Sequence, residues 1–373
     1  MLKIAMLAAD PIDAHGWGRY ARDMITALAA QGLSITLITS THAPEDPKLP
    51  LAGYHRILPS VTASPPERMI RPRLLAMRPQ IKQVVQGCDL IHVLAEPYML
   101  GVGGLAPVVV TAHGTYIPRT VADRVFGRMY RNAYMHAQIL CVSRFTAEMV
   151  SQVLPKAKLT VVHNGVDSDR FLQKGPSPAK TGTRILAVGQ MKPRKGFHLL
   201  AKALPQILKT HPNAEVIAIG SMPLPAYVAE IRQQLQADGT THAMQILGRV
   251  EDSVILDWYH QADLFALPAA NLEGSFEGFG LVYLEASAAG LPTIGTWGCG
   301  AEEAIVDGQT GLLIPQNDPD RLAEAITQLL DDSALRQRLG EAGIAYAVVH
   351  DWRHAAEQVI ALYAEQLALK TDR

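Results

Sequence analysis

Short β-branched runs alternate with longer helical patterns along the whole chain, and that alternation leaves few folds open. The first half reads KIAMLAA, SITLITS, DLIHVL, PVVVTAH, QILCVS and LTVVHN; the second reads RILAVG, AEVIAIG, MQILG, DLFALP, PTIG and GLLIP. Near-continuous apolar runs are what parallel strands buried on both faces require. Between the first two lies GRYARDMITALAAQG, helical in period and stopped by Gly32. The pattern pauses only at FLQKGPSPAKTGT, residues 171–183, rich in Gly, Pro, Ser and Lys. The expected architecture is α/β, with two tandem Rossmann-like doubly wound domains. Their predicted bounds are 1–172, a linker at 173–183, 184–350, and a C-terminal helix at 351–373 that packs at the domain junction. In such sheets ligands bind beyond the carboxyl ends of the strands, so the two domains are expected to face each other across a ligand-binding cleft.

A length of 373 residues suits two domains, and 48% hydrophobic residues with 18% charged ones argue against disorder. The net charge of −1 hides an asymmetry. Residues 1–180 hold 20 Lys and Arg against 12 Asp and Glu, whereas 181–373 hold 14 against 23, which predicts an anionic partner for the first half. No nucleic-acid partner is expected. Cys88, Cys141 and Cys299 are too far apart for a disulfide framework or a zinc site, which suits a reducing cytoplasm. MLKIAMLAAD reads as a first strand rather than a signal peptide, and the apolar stretch 97–112 is interrupted by Gly and Pro short of the ~18 residues a spanning helix needs.

The motifs fall where ligands are expected. HGWGRYA contains Gly16-x-Gly18-x-x-Ala21, but the second run ends in Ser40-Thr41-His42 with no acid to hold a ribose, so a dinucleotide site is disfavoured and a phosphate cradle or a plain turn remains. VGQMKPRKGFHLL places Lys192, Arg194 and Lys195 just past a strand, fit for a diphosphate or for a solvated loop. His113 ends the run PVVVTAH, where a histidine can serve a site, whereas His92 lies inside its run and reads as structural. The most specific stretch is EGFGLVYLE. Gly278 and Gly280 allow close backbone approach, and the amides near Leu281 and Val282 open a helix. Glu277 and Glu285 flank them as acceptors for neighbouring hydroxyls. A ligand that is anionic in the middle and polyhydroxylic at both ends, a sugar nucleotide, satisfies all of these groups.

On these residues the chain resembles the retaining nucleotide-sugar glycosyltransferases of family 4, which have the GT-B fold. Glu277 and Glu285 match that family's Glu-x7-Glu signature around Gly278-Phe279-Gly280, RKG at 194–196 looks like its basic phosphate loop, HNGVDSDRF at 163–171 its segment before the linker, and GWGRY its amino-terminal glycine loop. The resemblance implies that Lys195 neutralises the diphosphate leaving group, Glu285 binds the ribose, Glu277 holds donor-sugar hydroxyls, Gly16 offers an amide to phosphate, and His113 stands beside the donor hexose. Catalytic roles would then fall to His113, Lys195 and Glu277. Donor contacts would extend to Gln190, Arg194, Gly278, Phe279, Gly280, Leu281 and Val282, and to Arg249 and Val250 near the base. His15-Gly16 replaces the common Gly-Gly, and Gln190 a common arginine.

The implied activity is transfer of a hexose from a donor of the UDP-glucose or GDP-mannose type to a glycan, lipid-linked or small-molecule acceptor. No metal or cofactor is needed. A sugar-nucleotide-binding protein without catalysis, or an epimerase on the same fold, is the competing reading. Arg68, Arg71, Arg78 and Lys82 recur beside Met69, Leu74, Leu75 and Met77, the pattern of a basic amphipathic segment on an anionic membrane, with Pro72 and Pro79 breaking it into short pieces. The expected location is the cytoplasm, peripheral at the inner membrane face if that segment meets lipid.

Overall fold

A computed structural model describes residues 1–11, 16–62, 69–105, 107–172, 183–272 and 274–371; His15, Arg68 and linker residues 173–182 lie outside them. The chain divides into two compact units, Met1–Asn164 with Trp352–Arg373, and Gly165–Asp351.

The first unit is a parallel sheet of β1 (Lys3–Leu7), β2 (Ser34–Ser40), β3 (Gly53–Leu58), β4 (Leu90–Val93), β5 (Val108–Ala112), β6 (Gln138–Cys141) and β7 (Lys158–Val161). Its order is β3-β2-β1-β4-β5-β6-β7. All six expected runs are strands. The seventh, β3, escaped the sequence pattern because an edge strand needs no continuous apolar run: of GYHRIL only Leu58 is buried. The order reverses between β1 and β4, so the loops that follow these two strands splay apart and leave a crevice at their carboxyl ends. Residues 69–84, expected as broken pieces, form two short helices, Ile70–Ala76 and Arg78–Val84, joined at Met77 with Pro79 in the first turn of the second.

The second unit repeats the plan with β8 (Thr183–Val188), β9 (Ala214–Ile219), β10 (Met244–Gly248), β11 (Leu264–Ala266), β12 (Thr293–Thr296) and β13 (Gly311–Ile314), in the order β10-β9-β8-β11-β12-β13. Here the reversal lies between β8 and β11, and the segments that leave these strands carry Arg194 and Lys195 on one side and Glu277 on the other.

The C-terminal helix Trp352–Thr371 packs on the helix Gly16–Ala30 of the first unit. Its Trp352 ring meets Tyr20 edge-on at 5.4 Å, and Tyr20 in turn meets His113 edge-on at 4.5 Å. Deeper in, the Tyr363 hydroxyl lies 2.6 Å from His92 Nδ1, whose Nε2 is 2.8 Å from Thr111 Oγ1. Burial pushes the His92 imidazole down to about 3, so it is the neutral, structural histidine that its place inside a strand implied. Among the described residues no helix is long and apolar enough to cross a membrane.

Replacing Tyr363 by Phe removes the hydroxyl and strands a buried ring nitrogen of His92. We expect a loss of about 1–3 kcal/mol in urea unfolding, with Leu362→Met, a volume-conserving change on the same helix, losing less.

Candidate functional site

In the second unit the basic loop and the glutamate loop are tied to each other. Lys192 leads into a single 3-10 turn, Pro193–Lys195, after which the helix Phe197–Thr210 begins at Gly196. Glu277 Oε2 accepts from Lys195 Nζ at 2.5 Å and from Arg194 Nη1 at 2.8 Å. The carboxylate is nearly buried, with 9% of its side chain exposed, against 12% for Lys195 and 25% for Arg194. Burial alone would raise the Glu277 carboxyl, but Lys195 and Arg194 outweigh it and hold the group down to about 2. Burial draws the Lys195 ammonium below its ordinary value while Glu277 opposes that shift.

Two glycines make this geometry possible. Gly280 has φ 85° and begins the helix Leu281–Ala288; a Cβ there would strike the Tyr283 ring. Gly300 donates its amide to the Glu277 carbonyl at 2.9 Å, and a Cβ on it would collide with the Gly278 carbonyl. Gly278 and Phe279 are buried while Leu281 and Val282 are half-buried, so what this turn offers a ligand is backbone rather than the Phe279 ring.

Glu285 sits in the second turn of the same helix, 4% exposed, and its Oε2 accepts from the Tyr259 hydroxyl at 2.9 Å. Sequence reasoning missed Tyr259: an aromatic in DSVILDWYHQ reads as core, and only its polar tip hinted at a partner. Gln190 is half-buried just past β8, where the Gly189 amide donates to Ile219 and the Met191 amide to Ser221. Arg249 is exposed and Val250 half-buried, past Gly248, whose carbonyl accepts from Gly220 at 2.8 Å. The loops leaving β8, β9 and β10 thus brace one another.

Gly16 and His113 belong to the other unit. Gly16 is exposed at a helix start, and a Cβ there would meet nothing within 4 Å, so packing does not demand a glycine. His113 Nε2 lies 2.9 Å from the Leu94 carbonyl, which can only accept, so that nitrogen carries the proton. Burial pushes the ring down to about 4; it is neutral and keeps Nδ1 as an acceptor. Its amide donates to Glu96 Oε1 at 2.8 Å. Glu96, which no sequence signal marked, is fully buried, and burial lifts its carboxyl up to about 7.

The depressed Glu277 group has a stability signature. Its folded value lies below the unfolded one, so its contribution is complete above about pH 5 and is lost as pH falls toward 2. Urea titrations of the parent and Glu277→Gln are expected to differ most near neutrality and to converge between pH 5 and pH 2; a constant gap would contradict the ion cluster.

Comparisons with known proteins bear on the family and the fold. Residues 169–346 match the family model described as glycosyl transferases group 1, and residues 14–170 match the model described as glycosyltransferase family 4. A GDP-mannose-dependent monoacylated alpha-(1-6)-phosphatidylinositol monomannoside mannosyltransferase of Corynebacterium glutamicum is 35% identical over 202 residues, 51% of each chain, so the match spans about half that relative's length. Glycogen synthase of Mycobacterium tuberculosis is 26% identical over 95% of this chain and 92% of its own. The solved sucrose-phosphate synthase of Thermosynechococcus elongatus superposes with a TM-score of 0.84 over 99% of this chain and 100% of its own, at 21% identity, and shares the fold. Two parallel Rossmann-like sheets, that superposition and two contiguous family matches place the fold as GT-B, and the chain belongs to glycosyltransferase family 4.

Proposed function

We propose that the protein transfers a hexosyl group from a nucleoside diphosphate sugar to an acceptor hydroxyl with retention of configuration. The observation that carries this reading is the buried Glu277 carboxylate held by both Arg194 and Lys195 at the point where the strand order reverses. A diphosphate entering beside these cations finds charge already in place, so little reorganisation is needed when the leaving group develops negative charge. Glu277 stays ionised as an acceptor for hexose hydroxyls, Glu285, oriented by Tyr259, accepts from the ribose diol, and the amides at Leu281 and Val282 face phosphate. For Gly16 and His113 the roles rest on the resemblance alone.

In the step so read, the bond from the anomeric carbon to the phosphate oxygen breaks and a bond to the acceptor oxygen forms on the same face. The acceptor's proton passes to the departing phosphate. The residues named here bind, neutralise charge and orient; none is required to take a proton. The donor is of the UDP-glucose or GDP-mannose type, and the GDP-mannose-dependent relative supports the second.

Contact with an anionic bilayer is part of the same proposal. Arg73 and Arg128 are exposed beside Met69, Val125 and Met129, which are 67%, 76% and 40% exposed, a basic and apolar surface of the kind that lies on anionic lipid. The phosphatidylinositol mannoside in the relative's name supports a lipid-linked acceptor.

Lys195→Ala and Glu285→Ala are each expected to weaken nucleotide-sugar binding about 10- to 100-fold in calorimetry, the worth of one charge-assisted hydrogen bond. Glu277→Ala should lower kcat more than it raises KM. Parental transfer rates in all three variants would refute the site. Because Arg194 and Lys195 supply the charge that a metal would, transfer should continue in EDTA; loss of activity restored by magnesium would count against the reading. Sedimentation with phosphatidylglycerol vesicles should fall as salt rises and in Arg73→Gln with Arg128→Gln, and no binding at low salt would remove the membrane contact.

A further inference from the structure

His113 is gripped twice by the segment that follows β4. Its ring Nε2 donates to the Leu94 carbonyl at 2.9 Å, and its backbone amide donates to Glu96 Oε1 at 2.8 Å. Glu96 opens a single 3-10 turn, Glu96–Tyr98, with Pro97 in it and the Tyr98 amide on the Ala95 carbonyl at 3.0 Å. Three tyrosine hydroxyls fix that turn to its surroundings. Tyr134 donates to the Glu96 carbonyl at 3.2 Å, Tyr130 to the Pro97 carbonyl at 2.9 Å, and Tyr98 to the Pro59 carbonyl at 3.0 Å.

We propose that Glu96 is a positioning residue for hexosyl transfer: its buried carboxylate holds the segment after β5 by the His113 amide and so aims the His113 ring at the transferred sugar. The effect on turnover rests on the transfer reading above and on the place of His113 in it; the hold on the His113 amide does not.

An acid is a costly way to hold one amide. Glu96 is fully buried, and a neutral side-chain carbonyl would accept the same hydrogen bond without a charge to desolvate. What a carboxylate adds is a charge-assisted bond, stronger than a neutral one. A stiffer hold has a use at a reacting centre, where a small misplacement of a ring costs rate.

The strength of that hold changes with pH. Burial lifts the Glu96 carboxyl up to about 7, against the amides of His113 and of Glu96 itself and the Trp17 indole, which favour the charged form. The titratable groups packed around it stay neutral near that pH. Burial holds the His92 and His113 rings down to about 3 and about 4, and pushes the Tyr20, Tyr130, Tyr134 and Cys141 groups up. Arg119, on the neighbouring helix Tyr116–Val121, is exposed and keeps its charge throughout. Of these groups only Glu96 changes charge near neutrality: ionised above it, the carboxylate grips the amide tightly, and protonated below it, the acid leaves a weaker, neutral acceptor.

Isotope-labelled histidine in the full chain lets the His113 amide be followed by NMR, its signal assigned by its loss in His113→Gln. In the parent that amide should titrate with a midpoint near pH 7, well clear of the ring's own value of about 4. Glu96→Gln keeps an acceptor and removes the charge, so its His113 amide should stay flat over the same range. With a nucleoside diphosphate sugar, the parent's kcat should rise about 5- to 10-fold with the same midpoint, the difference between a charge-assisted and a neutral hydrogen bond. In Glu96→Gln kcat should remain at the acid level, with the donor KM and UDP or GDP binding unchanged. Should that variant fail to fold, the parent's amide shift and kcat must still change together. An amide that does not titrate near neutrality, one that titrates equally in Glu96→Gln, or the same kcat profile in both proteins would overturn the proposal. If the amide titrates as expected and the parent transfers no sugar from any nucleotide donor, the hold on His113 stands and the transfer reading falls.

Discussion

A carboxylate is expensive to bury unless cations come with it, and Glu277 is buried with two. Much of the second unit's carboxyl edge is arranged around that requirement. The Arg194 carbonyl is tied to the Ala270 amide, the Glu277 carbonyl to the Gly300 amide, and the Gly278 carbonyl lies where only a glycine at 300 leaves room. Removing one partner of such a cluster leaves uncompensated charge in a dry site, so the cluster constrains three loops at once. The same arrangement places two cations and two acidic side chains near one helix start, a charge pattern that suits a ligand carrying both phosphate and hydroxyls.

The first unit solves a different problem with neutral groups. His92 and His113 are both driven below their ordinary values by burial, and each is satisfied by a hydroxyl or carbonyl rather than by a carboxylate. The C-terminal helix supports this side of the sheet, bringing Tyr363 to His92 and Trp352 to Tyr20, which contacts His113. A segment distant in sequence thereby fixes the orientation of a ring at the carboxyl end of β5. Arg71 and Arg119 line a cavity of this unit together with the Trp17, Tyr116, Phe126 and Tyr130 rings.

How much of this was legible beforehand follows from where each residue gets its role. Twelve of the thirteen strands carry apolar runs that could be read directly, the partly exposed edge strands β7 and β10 among them, whereas β3, whose GYHRIL is broken by polar residues, could not. The Glu277 to Glu285 stretch was legible because two glycines and two acids at a helix start have few structural excuses. Tyr259 and Glu96 were not, because a buried tyrosine or glutamate acquires meaning only from the partner beside it, and those partners, Glu285 and His113, are 26 and 17 residues away.

Sequence alone therefore determined the class of fold, the repetition of its plan, and the residues that carry charge to the second sheet's carboxyl edge, since periodicity and local composition are properties of neighbours in the chain. Tertiary structure decided which of those charges meet. It paired Glu277 with Arg194 and Lys195 across more than 80 residues, gave Glu285 its tyrosine, and gathered two basic stretches some 50 residues apart around one cavity. Pairing of this kind depends on strand order, and strand order is set by how sheets bury their faces rather than by any run of residues that can be read in sequence.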